Sequence, residues 1–268
     1  MKQGIKLKPF DMVRHYRIVR HVADGGEGYV YLAQNTGNNN QICVVKQMFN
    51  SADELGNIER DYQLFTSFFH PNIVQTLDYF WDDDVFYIVM NYVAGQTMRS
   101  YLNKQKEPIN EILTLSWISK LANVLNYLHG RRPQVIHADI APDNVVITPN
   151  NDLIIIDFGI ARVNCDAIGM REFYSAPEQI ESGKLSPSTD VYSLGATAYK
   201  CLTLKDQPSP GYDPRKDNAR ITPKVAEFII KATAAKPTGL FGFVKGRYKD
   251  MEEVLDALSE CYVNSKKR

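Results

Sequence analysis

The stretch Val135-Ile136-His137-Ala138-Asp139-Ile140-Ala141-Pro142-Asp143-Asn144-Val145-Val146-Ile147 places a group of polar side chains between two runs of β-branched residues. Such runs read as short strands, so the segment between them is a loop braced at both ends. Asp139 in that loop can accept a proton from a hydroxyl nucleophile, and Asn144 offers a hard oxygen that suits a magnesium-phosphate complex. Thirteen residues past Asn144, the run Ile154-Ile155-Ile156 ends in Asp157-Phe158-Gly159, a carboxylate at a strand end followed by a glycine hinge. Asp157 supplies a second hard oxygen. Singly these residues are ordinary, because loop aspartates usually cap or turn. Their order and spacing carry the argument.

Upstream, Val22-Ala23-Asp24-Gly25-Gly26-Glu27-Gly28-Tyr29-Val30 lies between two strand-like runs. Glycines let backbone N–H groups approach phosphate oxygens with no β-carbon in the way, and a plain hairpin is the competing reading. Lys46 favours the first. It sits on the otherwise apolar run Ile42-Cys43-Val44-Val45, where an ammonium wants an anion from a ligand or an acidic side chain. No helix pattern follows the glycine turn directly, which excludes a Walker lysine loop and a dinucleotide fingerprint.

The rest of the chain is organised around these two segments. Runs from Tyr16 to Met48 predict three antiparallel strands, with the polar stretch Asn35 to Gln41 as a hairpin turn. Leu55, Ile58, Tyr62, Phe65 and Phe69 recur at helical spacing over 52–69, and Pro71 closes that helix. Two further strands flank the acidic turn Asp82-Asp83-Asp84, which reads as solvated. Beyond Gly95 helical periodicity dominates, from about Ile112 to His129, from Asp190 to Cys201, and near 222–235 and 250–263. The expected fold is α+β. It has an extension over 1–15, a five-stranded antiparallel lobe with one helix over 16–93, a larger helical lobe over 94–263, and a basic tail over 264–268.

Composition narrows the class. At 268 residues, 44% apolar and with 31 basic against 31 acidic side chains, the chain is an ordinary globular protein long enough for two lobes. Zero net charge excludes a nucleic-acid binder that works by bulk positive charge. The four cysteines, Cys43, Cys165, Cys201 and Cys261, lack CxxC spacing and fit free thiols in a reducing compartment. No signal peptide and no apolar run of membrane length is evident, so the chain is expected to be cytoplasmic. The basic end, Ser265 to Arg268, reads as a solvated terminus, with a stub before a membrane span as the other reading.

Taken together, the motifs resemble those of a Hanks-type protein serine/threonine kinase, bacterial-like, from about Tyr16 to Leu258. Gly25, Gly28 and Val30 resemble the glycine-rich loop, Lys46 the strand-three lysine, His137 to Asn144 the catalytic loop, and Asp157-Phe158-Gly159 the metal-binding turn. Ala176-Pro177-Glu178 is similar to the end of an activation segment. The resemblance implies a bilobal kinase fold that uses ATP and Mg2+ on a protein substrate. Nucleotide contacts would come from Val22, Ala23, Gly25, Gly26, Gly28, Val30, Val44, Lys46, Met90, Asn91, Val93 and Val146. Asn144 and Asp157 would bind the metal, and Asp139 would orient the acceptor hydroxyl. His137, Phe158 and Gly159 would be structural. Asp190 would brace the catalytic loop, Arg247 would pair with Glu178, and Asp61 would partner Lys46.

The departures matter as much. Ala23 stands at the loop's first glycine and would cost about 1 kcal/mol if that site needed positive φ. Ala138 replaces the arginine that answers an activation-loop phosphate in such kinases, and the segment from Asp157 to Glu178 holds no threonine and only Ser175. The expectation is a non-RD enzyme, active without activation-loop phosphorylation. Ala141 replaces a lysine, with Arg171 as a candidate substitute cation. Residues 238–246 resemble an insertion whose Leu240, Phe241 and Phe243 could dock a partner or simply cover the lobe. Two other functions stay open: a nucleotide-binding pseudokinase, and a small-molecule kinase of the aminoglycoside type.

Overall fold

The computed structural model describes residues 5–25, 28–49, 63–158, 162–163, 172–181, 185–237 and 246–266. The chain divides into two compact units, Met1–Ala94 and Gly95–Arg268.

The first unit is built on one antiparallel sheet of six strands in the order β1-β2-β3-β4-β6-β5: β1 (Met12–Val13), β2 (Tyr16–Asp24), β3 (Gly28–Asn35), β4 (Gln41–Met48), β5 (Thr76–Asp82) and β6 (Val85–Asn91). Five are the strands the sequence predicts. The sixth, β1, comes from the N-terminal extension, where two residues are too few to produce a readable alternation. Asn39 and Asn40 take left-handed φ of 47° and 54° in the β3–β4 turn, a conformation asparagine tolerates better than most residues. Asp83 does the same, at 50°, in the acidic hairpin.

Register gives this sheet two different faces. Residues directly opposite one another share a face, so the row Ala23, Val30, Lys46, Ile88 and the row Leu32, Val44, Met90 lie together. The other face carries Tyr31, Ala33, Cys43, Val45, Tyr87 and Val89, which pack with Val13, Tyr16 and Phe80, while Leu7 leans against that cluster. The extension therefore covers the face that Lys46 does not occupy. The helix expected over 52–69 falls largely outside the described residues, although Phe65 and Phe68 are buried.

The second unit is mainly helical: α1 (Met98–Asn103), α2 (Glu111–His129), α3 (Pro177–Glu181), α4 (Pro187–Thr203), α5 (Pro223–Ala232) and α6 (Met251–Ser265). Asn110 caps α2 by accepting from the Ile112 and Leu113 N–H groups. α4 is buried from Ser188 to Thr203, which marks it as the central helix. Gly195 permits its contact with α5, since a β-carbon there would lie 2.8 Å from the Ala232 β-carbon. Short strands complete the unit: β7 (Gln96–Thr97) pairs with β9 (Val145–Ile147), which pairs with β10 (Leu153–Ile155), and β8 (Val135–Ile136) pairs with β11 (Arg162–Val163). The polar loop from His137 to Asn144 is thus strung between β8 and β9. Among the described residues no helix is long and apolar enough to cross a membrane.

Candidate active site

In the first unit the glycine turn and Lys46 are linked by the β2-β3-β4 register. Gly28 can only be glycine, because a β-carbon would sit 2.1 Å from the Gln47 carbonyl oxygen of the neighbouring strand. The Gly25 N–H closes the turn on the Gly28 carbonyl at 2.8 Å. Ala23 lies in β2 opposite Val30 and is not among the positive-φ residues, so the alanine carries no backbone penalty. Val30, Val44 and Met90 share the Lys46 face, and Lys46 itself is buried. Val22 is exposed, and Val93 lies just past β6, where the Asn91 N–H donates to the Gln75 carbonyl at 3.0 Å. Asp24, flanking the turn, accepts from Lys6 at 2.8 Å and pairs with His21 at 2.9 Å, and the Lys6 hydrogen bond holds its carboxyl below the usual aspartate range. Gly26 and Asp61 lie outside the described residues, as do Gly159, Arg171 and residues 238–245.

In the second unit the polar loop is built around a strained residue. Ala138 has φ of 61°, which costs an L-residue about 1–2 kcal/mol. Two buried side chains hold it there. Asp190 of α4 accepts from the His137 N–H at 2.9 Å and the Ala138 N–H at 2.7 Å, and it meets His129 Nε2 at 2.7 Å. Gln179 of α3 donates to the Ala138 carbonyl at 3.2 Å. With its backbone clamped from both sides, residue 138 directs the chain into Asp139.

Asn144 then sets the aspartate. Its carboxamide nitrogen donates to the Asp139 carbonyl at 2.9 Å and to the Asp139 carboxylate at 2.6 Å. The Asn144 carbonyl accepts from the Ile156 N–H at 3.0 Å, which sets Asn144 opposite the residue before Asp157 on the β9–β10 ladder. Asp139, Asn144 and the Asp157 backbone are thereby brought to one end of that ladder. Val146, in β9, pairs with Ile154 and Thr97. His137 is fully buried; burial pushes its imidazole below the ordinary pKa against the pull of Asp190, Asp139 and Asp157, and its ring lies 5.0 Å from that of Phe158. Burial thus favours the neutral imidazole.

Glu178 and Arg247 form a bidentate pair at 2.6 and 2.7 Å, with the Arg247 side chain wholly buried. The other guanidinium donors go to the Ala234, Ser188 and Ala235 carbonyls, at 2.6, 3.1 and 3.1 Å, which satisfies the whole fork. Ala141 is fully buried and packs in one cluster with Tyr174 and Ala196.

Could these residues hold a magnesium ion? Because a carboxylate only accepts, the Asn144 nitrogen must face Asp139, and its carbonyl oxygen is the atom left to act as a ligand. With the Asp157 carboxylate this makes a hard-oxygen donor set of the kind Mg2+ takes together with phosphate oxygens.

Residues 16–265 match the protein kinase domain family. This chain belongs to that family. The chain is 26% identical over 266 residues to the serine/threonine-protein kinase PrkC of Bacillus subtilis, covering 90% of this chain and 41% of the relative. A probable serine/threonine-protein kinase of Clostridium acetobutylicum is 28% identical over 278 residues, covering 93% of this chain and 40% of the relative. The chain thus spans about two fifths of the length of these relatives. The kinase domain of Mycobacterium tuberculosis PknI superposes with a TM-score of 0.79 at 21% identity, over 96% of this chain and 100% of that one, and so shares the bilobal kinase fold.

In this kinase domain, sequence reasoning missed Arg99, which reaches Asp143, Tyr174 and Asp206, and the hydrogen bond that joins the last two. Arg99 lies 44 residues from Asp143 and 107 from Asp206, a separation at which no local motif can announce a contact.

Proposed function

We propose that this domain is an ATP- and Mg2+-dependent protein kinase that transfers the γ-phosphate to serine or threonine hydroxyls and does not require phosphorylation of its activation segment. The observation that carries the reading is the double donation from Asn144 to Asp139, which leaves a carboxylate aimed by its neighbour and an amide oxygen that would serve as a metal ligand. Lys46 would hold the α- and β-phosphates, with the glycine turn and Val22, Ala23, Val30, Val44, Met90, Asn91, Val93 and Val146 around the rest of the nucleotide. Asn144 and Asp157 would hold Mg2+, which when bound neutralises phosphate charge. Asp139 would orient the acceptor hydroxyl and take its proton. The names of the curated relatives support serine/threonine acceptors. Ala138, in place of a phosphate-answering arginine, supports independence from phosphorylation.

A second reading, a nucleotide-binding module without turnover, is favoured by one feature: the fully buried Ala141, which leaves no cation at that point of the loop. Incubating the protein with labelled ATP, magnesium and a general protein acceptor, beside Asp139→Asn, separates the two. Transfer by the parent and a drop of a hundredfold or more in the variant is expected. Equal signals from both would refute the kinase reading.

A further inference from the structure

Arg99, near the start of α1, touches the catalytic loop twice and the last part of the activation segment once. Its backbone N–H donates to the Pro142 carbonyl at 2.9 Å, and its Nε donates to the Asp143 carboxylate at 3.2 Å. One Nη donates to the Tyr174 hydroxyl at 3.2 Å, and the other reaches Asp206 at 3.5 Å. Tyr174 in turn donates to Asp206 at 2.9 Å, and Lys200 of α4 reaches the same carboxylate at 3.2 Å. Burial works against charge on Asp206, yet hydrogen bonds from Tyr174 and Lys200 hold its carboxyl below the usual aspartate range. Two cations and two anions thus join α1, α4, residues 142–143 and Tyr174, whose ring packs against Ala141 two residues after Asp139.

We propose that Arg99 is a positioning residue for phosphotransfer: it fixes the catalytic loop against residues 172–176 through charges the sequence carries permanently, so no added phosphate is needed to order that contact. The proposal rests on the kinase reading above. Asp143 immediately precedes Asn144, which aims Asp139, so slack at Asp143 passes to the reacting carboxylate through one peptide unit and the Asn144 side-chain hydrogen bonds. The planar fork is suited to this. A lysine at 99 could reach Asp143 or Tyr174 but could not hold both in one plane.

The test uses the whole chain with Arg99→Ala, Arg99→Lys, Tyr174→Phe and the Arg99→Ala/Tyr174→Phe double variant. Arg99→Ala is expected to lower kcat about tenfold to a hundredfold, with KM for ATP within twofold, and Arg99→Lys to recover only part. The double variant should be little worse than Arg99→Ala, because both changes break one network. Amide hydrogen exchange should quicken at least tenfold over 139–144 and 172–176 in Arg99→Ala and, to a lesser degree, in Tyr174→Phe. Tyr174→Phe retains the ring, so it remains informative if Arg99→Ala folds poorly. A kcat within twofold of the parent, fully additive variants, or unchanged exchange in both segments would overturn the proposal. Should the parent transfer no phosphate, the kinase reading fails by itself, and the exchange data still decide whether Arg99 orders the loop.

Discussion

At the scale of single residues, Ala138 and Ala141 show that a small side chain in a catalytic loop can mean opposite things. Ala138 occupies a left-handed conformation and is held by Asp190 and Gln179, so its backbone is the important part and its methyl is incidental. Ala141 has an ordinary backbone, and there it is the methyl that matters, because Tyr174 and Ala196 close over it. Restoring a lysine at 141 is therefore not a gain of function. Ala141→Lys must displace Tyr174 or bury an ammonium, and should cost about 1–3 kcal/mol of stability with no rise in transfer rate. Denaturant midpoints measured beside initial rates check this; a faster enzyme of unchanged stability would show that the site accepts the longer chain.

Among the elements, the N-terminal extension does more than precede the sheet. It supplies β1, covers the face opposite Lys46 with Leu7 and Val13, and satisfies two buried polar groups. Gln47 donates to the Ile5 carbonyl at 3.2 Å and accepts from Tyr31 at 3.0 Å, while the Leu7 N–H donates to the Tyr31 hydroxyl at 3.1 Å. Deleting residues 1–8 strips partners from a buried amide and a buried phenol and should destabilise the protein by about 2–5 kcal/mol. Adding Gln47→Leu together with Tyr31→Phe to the truncated chain should recover part of the loss in urea unfolding, because neither that buried amide nor that buried phenol is then present without its partners. If the truncated chain unfolds at the parent's midpoint, the extension is not structural. Its role was illegible in the sequence for a plain reason. Two residues of strand and a pair of hydrogen bonds to distant side chains leave no periodic trace, whereas the longer strands and helices announce themselves by repeating every 2 or 3.6 residues.

For the molecule as a whole, the residues proposed to hold nucleotide and metal occur in both units, Lys46 and the glycine turn in the first and Asn144, Val146 and Asp157 in the second. Under the proposed function, a ligand that binds these residues in the folded protein must raise its stability. At a hundredfold excess over Kd, ATP with magnesium should stabilise by about 2.7 kcal/mol, a rise in Tm of about 5–10 °C, and Lys46→Met should abolish most of it. A parent Tm indifferent to ATP and magnesium would contradict the assignment of these residues. The sequence by itself determined the fold class, most of the elements among the described residues and the motifs that mark the family, because those depend on local periodicity and on short motifs with fixed spacing. Only the tertiary structure decided that Ala23 sits unstrained, that a tyrosine fills the space beside Ala141, and that Arg99 grips the catalytic loop. Those are contacts between segments tens of residues apart, where packing and charge pairing set the outcome and no local rule records it.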